Sequence, residues 1–114
     1  LKDCYLLWFG YYQILPKVHR HTIGQRVDFL FIEAIEAISV AGFLSKEEKL
    51  PFVRLAIRKA DTLKLFLVIL WENKSLDNKK YIALSKKVET VGKMLGGWLG
   101  QLTKQNSPAK TGEK

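Results

Sequence analysis

The chain holds a single cysteine, Cys4, which excludes an internal disulfide framework and a cysteine-built zinc site and points to a reducing, cytoplasmic setting. Long apolar runs are missing as well. The longest, Leu65 to Trp71, spans seven residues, against the roughly 18 that a membrane span needs. The aromatic-rich start lacks a basic leader followed by a small-residue cleavage site, so it does not read as a signal peptide. Acidic residues are scarce, 11 against 19 basic ones, and the formal charge of +8 favours polyanionic partners. No Walker loop, zinc-ligand spacing or serine or cysteine nucleophile with a partner set is present. The expectation is therefore no catalytic residue, no cofactor, no metal and no small-molecule substrate.

What is there suits one small helical domain. The chain of 114 residues is 47% hydrophobic and 26% charged, enough for a single core. Charge is uneven along it. Residues 74–114 carry nine basic and three acidic residues, so most of the excess belongs to the last helix and its tail.

That last helix has the clearest pattern. Tyr81, Leu84, Val88, Val91, Leu95, Trp98 and Leu102 recur at alternating steps of three and four, the spacing of a seam that faces neighbouring helices. Lys79, Lys86 and Lys93 project opposite the seam, flanked by Lys80 and Lys87 with only Glu89 as offset. Gly92, Gly96 and Gly100 form a bare strip on one flank. With Gly97 they are costly, at ~1 kcal/mol each relative to alanine inside a helix, which calls for close approach by another backbone.

Upstream, Cys4, Leu7, Trp8, Tyr11 and Ile14 predict a short amphipathic helix that ends before Pro16, with Tyr5, Phe9 and Tyr12 on its other side. Lys17 to His21 reads as a basic loop, and Thr22 with Gln25 as a capping box. His19 and His21 stand in H-x-H spacing without a third ligand, which favours a polar loop over a metal site. The second helix buries Ile23, Val27, Leu30, Ala34, Ile38 and Ala41, with Phe31 and Ala37 at the edges of the stripe. Phe29, Ile32 and Val40 lie on its far side, where a monomer has no use for large apolar groups.

Gly42 stops this helix, and Ser45 with Glu48 forms a second capping box. Pro51 near the start of the third helix is either tolerated or splits off a leading turn. Leu55, Ala56, Leu63, Phe66, Leu67 and Leu70 share its core side, while Arg54, Arg58 and Asp61 share the opposite one, with Lys59 and Lys64 adding charge. Leu65, Val68, Ile69 and Trp71 make its last two turns apolar all round, which demands cover from another chain. Asp77 or Asn78 is placed to cap the final helix. The carboxylates Glu33, Glu36 and Asp61 read as solvated surface.

The expected architecture is an all-α, antiparallel up-and-down four-helix bundle over Leu1 to Leu102, followed by a flexible basic tail over 103–114. Phe29, Ile32, Leu65, Val68, Ile69, Gly92, Gly96 and Gly100 are the candidate subunit interface. Lys79, Lys80, Lys86, Lys87, Lys93, Arg54, Arg58, Lys59 and Lys64 are the candidate nucleic-acid surface, and without aromatics beside them such cations hold phosphates and do not read bases.

Two separated stretches also carry a family resemblance. Val91-Gly-Lys-Met-Leu-Gly-Gly-Trp98 resembles the closing "G-[RK]-M-L-G-G-W" signature of the Avd-type four-helix-bundle proteins, accessory proteins of diversity-generating retroelements. Leu15-Pro-Lys-Val-His-Arg-His-Thr-Ile-Gly-Gln-Arg26 resembles that family's "F-P-[RK]-x-x-R-[FH]-T-[LI]-G-x-[RK]" junction. The resemblance spans roughly Leu1 to Gln101. It implies a non-enzymatic, pentameric ring that associates with a reverse transcriptase and RNA, with DNA as a second polyanion, during mutagenic reverse transcription. Five copies at +8 each would carry about +40, enough to hold phosphates by many weak contacts. Similar bundles are linked to intervening sequences of ribosomal RNA genes without a reverse transcriptase. A purely protein-interacting bundle is the competing expectation.

Overall fold

Each apolar-periodic stretch becomes a helix in the computed structural model, which describes residues 1–105. Four long helices, α1 (Lys2–Gln13), α3 (Ile23–Ala41), α4 (Lys46–Glu72) and α5 (Asn78–Gln105), are joined by turns and by a single-turn helix, α2 (Lys17–Arg20). No strand occurs among the described residues. α5 runs three residues past the expected boundary at Leu102, and the remainder of the proposed tail lies outside the described residues.

The α5 seam is where the helices meet. Leu84, Val88, Leu95 and Leu102 are buried, and Tyr81, Val91 and Trp98 are half-buried beside them. At ~1.5–3 kcal/mol for each fully buried Leu or Val, this one side of α5 contributes several kcal/mol. The order of contacts makes the long helices antiparallel. Leu70 of α4 shares a cluster with Leu84 of α5, while at the other end Val53 shares one with Leu102 and with Ala41 of α3.

The bundle is not equally deep along its length. The larger cluster joins Cys4 and Trp8 of α1 to Val27, Leu30 and Phe31 of α3, Leu63, Leu67 and Leu70 of α4, and Leu84 and Val88 of α5. Beyond it, the clusters around Ala37, Ala56 and Leu95 and around Ala41, Val53 and Leu102 draw on α3, α4 and α5 alone. At ~1.5 Å per residue, the 12 residues of α1 cover less than half the length of the 28-residue α5. One end is thus a four-helix bundle and the other a three-helix layer. Overall extents of 56 × 23 × 19 Å describe the resulting rod.

Several local expectations change. Phe31, placed at the edge of its stripe, is fully buried, stacked on Trp8 at 6.0 Å and met edge-on by Tyr5 at 5.8 Å. Tyr5 and Tyr12 are therefore wrapped by neighbours, not displayed. Ile14 is exposed and Leu15 buried in its place, because α1 ends at Gln13 and the chain turns before the next step of the period. The basic junction is a turn of helix, closed by Arg20 N–H donating to Pro16 O at 2.8 Å. Thr22 makes no capping box: its hydroxyl donates back to Val18 O at 2.8 Å, since the carbonyls of α2 lie nearer than the N–H groups of α3.

Other expectations hold. Ser45 and Glu48 form the reciprocal box, with Glu48 N–H donating to Ser45 Oγ at 3.4 Å and Ser45 N–H to Glu48 Oε1 at 3.3 Å. Pro51 is tolerated within an unbroken α4. Asp77 caps α5 by accepting from Lys80 N–H at 2.8 Å. Gly42 ends α3 with right-handed φ of −62°, whereas the left-handed position falls on Lys74, φ 70°, in the turn after α4.

The glycine that permits close approach is also a different one. A Cβ on Gly24 would stand 2.8 Å from His19 O and 2.9 Å from Leu15 Cδ1. On Gly96, Gly97 or Gly100 it would meet nothing within 4 Å, and on Gly92 only the Lys64 side chain, at 3.6 Å for Nζ. The late strip of α5 is hence not required by this chain's own backbone.

Gly24→Ala is expected to lower stability by ~1–3 kcal/mol, because the backbone carbonyl of His19 has no slack to move. Gly10→Ala, in open space on α1, should raise it by ~0.5–1 kcal/mol. Lys74→Gly should raise it by about 1 kcal/mol by relieving the left-handed conformation. Urea unfolding of the three variants checks all three signs.

Candidate nucleic-acid and subunit interface

The nine candidate cations follow from helix geometry, and the fold separates them. Steps of seven residues hold Lys79, Lys86 and Lys93 on one exposed side of α5, with Lys87 exposed beside them. Among the described residues none of these four has a carboxylate partner. Lys80 is half-buried, its Nζ 5.5 Å from the centre of the Tyr11 ring. Lys59 is tied to Glu33 of α3 at 3.2 Å, and Lys64 to Asp61 at 3.8 Å. Glu33 and Asp61, read as plain solvated surface, thus neutralise two of the candidates.

Arg54 and Arg58 are exposed but distant. Because Val53 sits with Leu102 and Leu70 with Leu84, the two arginines lie near the three-helix end, roughly 20 Å or more along the axis from Lys79. The positive charge is strung along the rod, with its continuous portion on α5.

The apolar candidates lie on two flanks. Phe29 and Leu65 are 51% and 60% exposed, and Ile32, Val68 and Ile69 are half-buried. Near the apolar end of α4, Leu65 therefore stays open within one copy, while Val68 and Ile69 are partly covered. On α5, Gly96 and Gly100 border a shallow trough of 620 Å³ with Leu99, Gln101, Thr103 and Lys104. A second groove, of 340 Å³, is lined by Leu1, Ile38, Val91, Met94, Leu95 and Trp98, where the three-helix layer begins. Both are open grooves, the first with Gln101, Thr103 and Lys104 on its border and the second lined by apolar side chains.

Two features were beyond sequence reasoning. Ser75 and His19 are hydrogen-bonded through Oγ and Nδ1, fastening α2 to the α4–α5 turn across 56 positions, a pairing that no local period encodes. His19 is thereby engaged, and His21 is exposed. Among the described residues no group of three His, Cys, Asp or Glu could hold a metal ion. The other is Trp8, whose Nε1–H donates to Asp28 Oδ1 at 3.2 Å and so satisfies a buried indole.

No described helix is long and apolar enough to cross a membrane. The arrangement defines an all-helical bundle with an exposed lysine row and uncovered apolar flanks. Compared with protein-family models, with curated proteins and with solved structures, the chain matches none.

Two groups in the first helix set an alkaline limit. Burial pushes the Cys4 thiol from 9.0 up to about 11, and burial, followed by the hydrogen bond that the Tyr5 hydroxyl donates to the Asp28 carboxylate, pushes that hydroxyl from 10.0 up to about 12. Both neutral forms are favoured by folding, so the stability they contribute is whole below pH 9 and declines as pH rises through 9 to 12. Urea midpoints across this range should fall, and Tyr5→Phe should flatten the upper part of the fall.

Proposed function

We propose that this protein is a non-enzymatic, cytoplasmic accessory factor that assembles into a ring-shaped homo-oligomer, a pentamer by the resemblance of its motifs. In this reading it holds RNA, and DNA, without sequence preference, and presents them to a reverse transcriptase during mutagenic copying in a diversity-generating retroelement. The observation that carries the nucleic-acid part is the exposed row Lys79, Lys86 and Lys93, with Lys87 beside it and no carboxylate partner among the described residues.

The apolar flanks support the assembly part. Leaving Phe29 and Leu65 in water forfeits burial that a second copy would supply. The open Gly96 and Gly100 allow a neighbouring helix to approach α5 closely. Closed rotational symmetry repeats one contact until the ring is complete, which brings every copy's lysine row into one cationic body. Compact ammonium groups bind phosphate as point charges, so affinity should depend steeply on salt. The choice of reverse transcriptase as partner rests on the two sequence motifs.

A second reading is a protein-interaction bundle, such as one linked to ribosomal RNA intervening sequences, with no reverse transcriptase partner. The pairing of Lys59 with Glu33 and of Lys64 with Asp61 favours it, because the free cationic surface is smaller than the sequence suggested.

Reversing the row (Lys79→Glu, Lys86→Glu and Lys93→Glu together) should weaken retention of single-stranded RNA and lower the slope of log affinity against log salt by about 2. Helicity by circular dichroism should not change. Unaltered affinity at moderate salt would remove these lysines from the mechanism, and capture of a protein partner without salt-dependent RNA binding would favour the second reading.

A further inference from the structure

At the end of α4 a tryptophan is held where its ring remains open. Trp71 stacks on Tyr81 with ring centres 4.8 Å apart and planes 13° from parallel, while its Nε1–H donates to Asn78 Oδ1 at 2.7 Å. Tyr81 in turn packs on the main core. The turn between them is fixed by buried Leu76, by Lys74 N–H donating to Trp71 O at 3.0 Å, and by Ser75 N–H donating to Asn73 Oδ1 at 3.2 Å. Even so, Trp71 is 38% exposed.

The indole N–H is already satisfied, which leaves the aromatic surface as the group's remaining means of recognition. Stacking on Tyr81 and the bond to Asn78 remove most of the freedom that a surface side chain would otherwise lose on binding. Lys74 and Lys79 are exposed and near it in sequence, as are the acids Glu72 and Asp77, Asp77 being engaged at the N-terminus of α5. Local charge is thus close to balanced, and the turn is better suited to holding a flat apolar group than a phosphate. The lysine row starts at Lys79, next in sequence to the Asn78 that holds the indole.

We infer that Trp71 is a stacking platform for one unpaired base of a single-stranded nucleic acid whose backbone follows Lys79, Lys86 and Lys93. The inference rests on the nucleic-acid reading above and adds to it a preference for single strands. Every base has a π-face, so the platform is tolerant of sequence, but bases inside a duplex are stacked on one another and cannot reach it.

The test uses the full chain with Trp98→Phe, so that Trp71 is the accessible tryptophan while Trp8 stays buried. A short mixed-sequence single-stranded RNA should quench its fluorescence, and a long duplex at equal phosphate concentration should not. Trp71→Ala should weaken single-strand binding by about 5- to 100-fold and leave duplex binding unchanged, and Trp71→Phe should retain most of the affinity. Absence of quenching in the Trp98→Phe protein while RNA is bound overturns the inference, whether or not Trp71→Ala folds. Single-strand affinity that survives Trp71→Ala but falls on reversal of the lysine row overturns the platform alone. No binding of either RNA at low salt overturns the nucleic-acid reading and the platform with it.

Discussion

Burial of one side of α5 is the constraint from which the other features follow. Leu84, Val88, Leu95 and Leu102 need cover along the whole length of a 28-residue helix. α3 and α4 provide most of it, and α1 closes only the half nearest the α4–α5 turn. With the seam turned inward, the remaining sides of α5 face outward by geometry alone. One bears the lysines and another the glycines. The chemistry a partner meets is therefore set by what the core does not use.

Much of this architecture is legible in the residues because helix periodicity is a local signal. Seven positions of α5, the core stripe of α3 and the Ser45–Glu48 box are each encoded within a few turns of their own helix. What escapes is encoded between helices. Phe31 looks like an edge residue until Trp8 and Tyr5 of α1 close over it. Thr22 looks like a cap until α2 places carbonyls closer than the N–H groups ahead. The glycine pattern misleads for the same reason. Four glycines in α5 draw the eye, yet the one pressed against backbone is Gly24, whose neighbours His19, Leu15 and Tyr12 are brought there by two turns of chain.

The candidate site is legible in part. The α5 lysines could be placed because a seven-residue step keeps one side of a helix. The pairing of Lys59 could not, since Glu33 comes from another helix, whereas Lys64 and Asp61 lie three residues apart on α4 itself. The Trp71–Asn78 contact has no local signal, because the two residues belong to different helices and meet only across the turn. The fold stacks the indole of Trp71 on the phenol of Tyr81 and ties it to Asn78, the residue before the first lysine of the row. A surface that combines a flat ring with a run of ammonium groups is suited to a flexible polyanion carrying flat groups, as single-stranded nucleic acid does.

In the proposed assembly, copies cover for one another the apolar side chains that one copy leaves exposed, such as Phe29 and Leu65, and bring their lysines together. Multi-angle light scattering of the full chain at micromolar concentration tests this most directly. A mass several times the 13.1 kDa of one chain is expected, near five times it for a pentameric ring, falling toward the monomer when Phe29 and Leu65 are both changed to serine. A single species of 13.1 kDa at every concentration, for the unaltered chain, would contradict it.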